Sequence, residues 1–320
     1  MSDQISICEV SPRDGLPILC SGAGLAEKHM YIDALISAGL KKIECVAFTH
    51  PRLMPEHADA EKVMLGLKKK SGITYIGLVP NEIGCRRAVI AGVDEVVTLV
   101  AASDIYTLVN AGKSLREHMH KTLPAIFDVA SQNSIGVRSY ILASFGCPYT
   151  GKVSIEKVIQ LVLKLTFMGA KEIVLSDTTG MADPIQVREL VRSILALNLE
   201  AKLAAHFHNT RGTAMLNCFA AYEAGVRIFD TSVGGMSVAP YGTIEHASGY
   251  WNVPTEDLVH LFEKMGVKTG IDLDRLIECA SIGERLAKRT LPGHILRAKK
   301  ISQLVKVPTK PMTIEMVSGE

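Results

Sequence analysis

No apolar run in this sequence approaches the ~20 residues that a membrane-spanning helix needs, so no membrane anchor is predicted from it. Its first residues, Met1-Ser2-Asp3-Gln4, carry neither a basic leader nor an Arg-rich amphipathic stretch, which predicts a cytoplasmic protein. No C-x-x-C pair occurs. The seven cysteines (Cys8, Cys20, Cys45, Cys85, Cys147, Cys218 and Cys279) are widely spaced and odd in number, a pattern of reduced, mostly buried thiols rather than a disulfide framework. Neither charge dominates: 35 Lys and Arg stand against 33 Asp and Glu, for a net charge of +2. With no basic stripe, a nucleic-acid partner is excluded. The densest basic run, Lys68-Lys69-Lys70, reads as the end of a solvated helix. A Gly-rich fingerprint after the first apolar strand is also missing, which disfavours a doubly wound dinucleotide-binding sheet.

What the chain does have is a repeated rhythm. Hydrophobic residues make up 48% of its 320 positions, enough for one large barrel or two ordinary domains. Short β-branched runs recur at 5–10, 41–48, 73–79, 93–101, 137–145, 171–177, 202–208 and 226–233. Stretches of helical periodicity separate them, such as Val158, Leu161, Val162 and Leu165. Several of these end in a small-residue pair before the next run: Ala38-Gly39, Ala91-Gly92, Met168-Gly169 and Ala224-Gly225. Glycine there suits a left-handed helix terminus. Eight strands alternating with helices predict a (β/α)8 TIM barrel. Extra C-terminal helices follow at about 255–265 and 271–290. The predicted domain covers 1–295, and 296–320 reads as a tail with Pro308 and Pro311.

Barrels of this kind place chemistry at the C-terminal ends of their strands. Charged and imidazole groups fall there in several runs: Arg13 and Asp14 after the first, Glu44 in the second, Asp177 in the sixth, His206 and His208 in the seventh. His206 and His208 are two apart and so point to one face of a strand. Two imidazoles in a barrel mouth are a metal-ligand arrangement, although an ordinary hydrogen-bonded pair gives the same pattern. Asp14 adds a carboxylate. Mixed nitrogen and oxygen ligands without a thiolate point to Mg2+ or Mn2+ rather than Zn2+. Arg13 reads either as a structural partner of Glu44 or Asp177, or as a cation that holds a carbonyl while it becomes an enolate.

The segments E-V-S-P-R-D-G-L (9–16), G-C-P-Y-T-G (146–151), S-D-T-T-G (176–180), H-F-H-N-T-R-G (206–212) and A-P-Y-G followed by N-V-P-T-E-D-L resemble the 3-hydroxy-3-methylglutaryl-CoA lyase family. This family belongs to a wider group of metal-dependent barrel lyases and Claisen-type synthases. The resemblance runs from about residue 5 to 290, in order. It implies cleavage between C2 and C3 of a 3-hydroxyacyl-CoA, such as 3-hydroxy-3-methylglutaryl-CoA or citramalyl-CoA, to acetyl-CoA and a keto acid or ketone. By position it implies Asp14, His206, His208 and Asn252 as metal ligands, and Arg13 as the enolate stabiliser. Glu44 and Asp177 take supporting acid–base roles, and Asn110 and Lys113, in the loop after the fourth strand, are candidates to meet the CoA. It also implies a homodimer or higher homo-oligomer, paired through the later helices.

The chain departs from that family in ways that bear on chemistry. Where the family's lid reads G-G-C-P-Y-A, this chain has Ala239-Pro240-Tyr241, so the mobile thiol is absent, and the loop up to Asn252 is longer. Glu245, His246 and Tyr241 are the candidates to move a proton in its place. Ala47 and Val174 stand where the family carries serines that face the substrate. Two hydroxyls lost from one pocket predict a distal substrate group other than that of 3-hydroxy-3-methylglutaryl-CoA. A Claisen-type condensing enzyme of the same group, and a non-catalytic barrel that binds CoA esters, are the alternative readings. The intact Arg-Asp, H-x-H and Asn set argues against the second.

Overall fold

The computed structural model describes residues 3–20, 22–237 and 251–298. Eight parallel strands close into a barrel in chain order, as predicted. They are β1 (Ser6–Glu9), β2 (Lys42–Ala47), β3 (Thr74–Leu78), β4 (Glu95–Ala101), β5 (Gly136–Leu142), β6 (Glu172–Asp177), β7 (Lys202–Phe207) and β8 (Ile228–Thr231). β1 pairs with both β2 and β8, which closes the ring. Among the outer helices are Leu25–Ser37, Glu82–Ile90, Ile155–Phe167, Pro184–Leu195 and Ala214–Ala224. Thr255–Lys264 and Leu273–Ala287 supply the extra C-terminal pair.

The period-two alternation of the strands sorts their side chains into two layers. On β7, Leu203, Ala205 and Phe207 pack outward under the helices, while Ala204 turns into the barrel. On β3, Tyr75 packs outward and Ile76 and Leu78 inward. The chain turns from helix to strand through the predicted glycines. Gly39 adopts φ +100°, and a Cβ there would lie 2.8 Å from the carbonyl oxygen of Gly270. Any L-residue at this position would be strained and would collide with backbone.

Two local departures from the predicted elements matter for function. The S-P-R-D segment after β1 is one helical turn, Ser11–Asp14, with Pro12 in its first turn, where a missing N–H costs nothing. β8 stops at Thr231 rather than 233, because Val233–Gly235 forms a tight turn with Gly234 at φ +67° and Gly235 at +74°. Across the boundary between the predicted domain and tail, Ile295–Ala298 forms a short helical turn.

Two buried carboxylates hold that turn at the root of the loop after β8. Glu9 accepts hydrogen bonds from the N–H groups of Ser11 (3.0 Å) and Val233 (2.9 Å) and from the hydroxyl of Thr255 (2.6 Å). Glu256 accepts from the N–H of Gly234 at 3.0 Å, and its other oxygen has no partner among the described residues. Burial, with Asp257 and Glu9 nearby, pushes the Glu256 carboxyl up to about 8 despite that N–H. The folded protein therefore keeps a proton that the unfolded chain gives up near pH 4.5. Stability should fall as pH rises across that window and level off above about 8. Glu256→Gln is expected to flatten this part of the melting-temperature profile. An unchanged slope in scanning calorimetry would mean that Glu256 is ionised in the fold.

Candidate active site

The C-terminal ends of the strands bring most of the predicted site residues together. Arg13 and Asp14 project from the helical turn after β1, Glu44 from the middle of β2, and His206 from β7. His208 lies just beyond β7, where it forms an isolated bridge with Asn252 on the returning end of the loop after β8. Glu44, His206, His208 and Asn252 are buried, and Arg13 and Asp14 are each 14% exposed at the barrel mouth.

Arg13 donates to Asp14 Oδ1 at 2.5 Å and to Glu44 Oε2 at 3.0 Å, so both structural and catalytic readings of Arg13 have a physical basis. Asp14 Oδ2 accepts from Asn252 Nδ2 at 2.6 Å and bonds Ser237 Oγ at 3.0 Å. Although burial opposes it, Arg13 and the two imidazoles hold the Asp14 carboxyl below its ordinary range. Burial also resists charging Arg13, but Glu44 and Asp14 overcome that and keep the guanidinium protonated. Burial and the neighbouring His206 push His208 down to about 3, leaving its ring neutral at physiological pH.

Below the mouth, a ladder of buried ions descends the barrel axis. Tyr140 donates to Asp230, and its hydroxyl lies 3.3 Å from Glu44 Oε2. Arg138 donates to Asp230, to the Tyr140 hydroxyl at 3.0 Å and to Glu172. Glu172 is balanced in turn by Lys42 at 2.9 Å, which also meets Glu95 at 3.1 Å. Burial would raise the Asp230 carboxyl, but Arg138 and His206 hold it well below the carboxylate range. Sequence reasoning missed Arg138, Tyr140 and Asp230. The available signal was R-S-Y at i and i+2 inside an otherwise apolar run, which places both side chains on the inner face of β5.

These residues fit a divalent cation. One ligand atom each from Asp14, His206 and His208 lie within 4.8 Å of one another. The two Nε2 atoms are 3.1 Å apart, close to the ~3 Å between adjacent ligands of a six-coordinate ion bound at about 2.1 Å. Asn252 Oδ1 is buried beside them without a hydrogen-bond partner among the described residues, a costly state unless a ligand meets it. Charge points the same way. Lys42, Arg138 and Arg13 face five carboxylates, Glu95, Glu172, Asp230, Glu44 and Asp14. Carboxylates outnumber cations along this ladder, an excess that a cation at the mouth would offset.

The other predicted positions are distributed differently. Asp177 ends β6 within the barrel wall, and its carboxylate accepts from the N–H groups of Met181 (2.7 Å) and Ala182 (3.2 Å). Burial outweighs these donors and raises it to about 6. Ala47 and Val174 are buried in the apolar cluster inside the barrel, together with Tyr140 and Ala204. Asn110 requires a correction. It lies in the helix Asp104–Ala111 rather than in a loop, because Ser103 caps that helix through the N–H of Tyr106. Lys113 follows this helix and donates to Thr122 Oγ1 at 3.1 Å. Neither has a hydrogen bond or ion pair to the metal-site residues among the described contacts. Cys147 is buried and donates to Ser103 Oγ at 3.1 Å. Ala239, Tyr241, Glu245 and His246 lie outside the described residues.

Comparison with known proteins gives the same grouping. A family model described as HMGL-like matches residues 4–282. A hydroxymethylglutaryl-CoA lyase of Bacillus subtilis is 36% identical over 299 residues, spanning 93% of this chain and 98% of the relative. The human mitochondrial hydroxymethylglutaryl-CoA lyase is 38% identical over 288 residues, 90% of this chain and 87% of its own. A solved HMG-CoA lyase of Acinetobacter baumannii, in complex with coenzyme A and 3-methylmalate, superposes with a TM-score of 0.89 at 34% identity, covering 96% of this chain and 99% of that one. With a matching family model over most of its length, relatives of this similarity, and a closed barrel carrying acid, imidazole and guanidinium groups at one rim, the chain belongs to the HMGL-like family of lyases.

Proposed function

We propose that the protein is a metal-dependent carbon–carbon lyase that cleaves a 3-hydroxyacyl-CoA into acetyl-CoA and a keto acid or ketone. The observation that carries this reading is the convergence of Arg13, Asp14, His206, His208 and Asn252 at one barrel mouth. Asp14, His206, His208 and Asn252 would hold Mg2+ or Mn2+, two nitrogen and two oxygen ligands with no thiolate. When bound, the cation would polarise the oxygens of the substrate's C3 hydroxyl and of a neighbouring group.

The chain's own residues supply the rest. Glu44, whose buried Oε1 has no partner among the described residues, is the candidate base that takes the C3 hydroxyl's proton. The C2–C3 bond breaks, and its electron pair moves into the thioester as an enolate while C3 becomes a carbonyl. Arg13, fixed as a cation by Glu44 and Asp14, stabilises the enolate oxygen. A proton then returns to C2 and completes acetyl-CoA. Asp177, raised to about 6, shares the outward side of β6 with Leu175 and is bound by the N–H groups of Met181 and Ala182. Its acid–base role would therefore be a supporting one, exerted without touching the substrate. Tyr241, Glu245 and His246 are the candidates to replace the family's thiol as the final proton donor.

Ala47 and Val174 bear on the substrate's distal group. Both are buried among apolar side chains inside the barrel, where a distal carboxylate would lack two hydroxyl partners worth about 1–3 kcal/mol each. A 3-hydroxyacyl-CoA that does not place a carboxylate between Ala47 and Val174 is therefore favoured, either one with an apolar branched distal group or one, such as citramalyl-CoA, whose carboxylate sits on C3 itself. The test is a panel of 3-hydroxyacyl-CoA esters assayed with Mg2+ and with Mn2+. The efficiency on 3-hydroxy-3-methylglutaryl-CoA should fall below the ~10⁴ M⁻¹s⁻¹ typical of enzymes. Ala47→Ser combined with Val174→Ser should raise it by at least about tenfold. Efficient turnover of that ester by the unaltered protein would end the altered-pocket reading. Product formed only from acetyl-CoA and a 2-oxo acid would favour a synthase instead.

A further inference from the structure

His206 has two ring nitrogens, and their surroundings differ. Nε2 faces Nε2 of His208 at 3.1 Å, on the side of Asp14. Nδ1 faces the barrel axis, where Asp230 Oδ2 lies 3.4 Å away. His206 and Asp230 are register partners on β7 and β8, so their side chains leave neighbouring strands side by side. Neither Nδ1 makes a hydrogen bond among the described residues, but that of His206 has the Asp230 carboxylate within ion-pair distance, whereas no such carboxylate contact is found for that of His208 among the described residues.

We propose that Asp230, anchored by Arg138, is a positioning residue that fixes His206 in the Nδ1–H tautomer and leaves the Nε2 lone pair free for a cation. The 3.4 Å separation exceeds the usual range of about 2.7–3.2 Å for such hydrogen bonds, so the contact acts through orientation and charge. Asp230 is buried between both terminal nitrogens of Arg138 and the hydroxyl of Tyr140, an environment in which a carboxylate stays ionised. A lone pair on Nδ1 facing that carboxylate would be repelled, whereas an N–H is attracted. The proton therefore sits on Nδ1. The Tyr140 ring stands nearly perpendicular to the imidazole, at 79° and 5.4 Å between centroids, and limits its rotation. Carboxylates behind ligand histidines typically set both tautomer and ring orientation, and their loss weakens metal affinity roughly 10–100-fold.

This inference rests on His206 being a metal ligand, so the experiment separates the two ideas. Mn2+ titrated into the full-length protein by calorimetry is expected to bind, and to bind far more weakly or not at all in His206→Gln. Absence of binding to the unaltered protein, or undiminished binding to His206→Gln, would overturn the metal assignment and this inference with it. Given that result, Asp230→Asn should weaken Mn2+ binding roughly 10–100-fold. Affinity equal to that of the unaltered protein in a folded Asp230→Asn would overturn the positioning role alone. Should Asp230→Asn not fold, the tautomer is still readable in the metal-free, unaltered protein. Long-range 1H–15N spectra of histidine-labelled protein, with His206 identified by its loss in His206→Gln, should show protonated Nδ1 and bare Nε2. A proton on Nε2 would refute the assignment of Asp230.

Discussion

Replacing His206 by alanine is expected to lower lyase turnover by at least about a thousandfold while the barrel stays folded. An ion that stabilises charge on a reacting oxygen contributes several kcal/mol to the transition state, and each 1.36 kcal/mol is a factor of about ten in rate. His206 is one of two imidazoles whose Nε2 atoms lie 3.1 Å apart, and the alanine variant removes one of them. The substitution leaves the outward face of β7, where Ala205 and Phe207 pack, untouched. The ion pairs of Arg138 with Asp230 and Glu172 also persist. The measurement is kcat/KM on the best ester of the panel at saturating Mn2+, with thermal melting as the control for folding. A folded variant that kept its turnover would remove His206 from the ligand set.

Arg13→Met is expected to reduce kcat by roughly 10²–10³-fold, the usual cost of losing one preorganised donor to a developing oxyanion, with a much smaller change in KM. The enolate carries its charge only as the C2–C3 bond breaks, so Arg13 acts chiefly in the transition state. Arg13→Lys should fall between the two. It keeps the charge but loses the fork that now spans Asp14 and Glu44. Steady-state kinetics on both variants decide the matter. A rise in KM at unchanged kcat would recast Arg13 as a binding group, and no loss in either would leave it a structural partner of Glu44.

The barrel and much of its rim were legible in the sequence because strand ends are punctuated. Arg13, Asp14, His206 and His208 each follow or close an apolar run, and an H-x-H pair has one geometric meaning on a strand. Asn252 was legible only through resemblance, since a lone asparagine at the end of a loop carries no periodic signal. The interior ions were not read. Arg138 and Asp230 sit within runs of otherwise apolar residues, and alternation alone makes such charges look solvent-facing. That these faces turn inward follows from the closure of the sheet by β1 and β8, a long-range fact that no local pattern encodes. Asn110 was assigned to a loop because the start of its helix went unread: Ser103 caps it, with Asp104 in the first turn, and the helix runs through Asn110 to Ala111.

The interior ladder also has a consequence for the order in which the protein assembles. Arg138 meets Asp230 across 92 residues of chain, and Tyr140 lies 96 residues from Glu44. Such distant pairings form slowly, because the intervening chain must be ordered first. A growing chain that has completed only its first five strands would carry Arg138 without Glu172 and Asp230 to neutralise it. β6 to β8 bring those carboxylates together with His206, so ring closure, charge balance and the metal-binding histidine arrive in one late step. Competence to bind the ion should therefore track completion of the native ring during refolding, with no early intermediate that binds it.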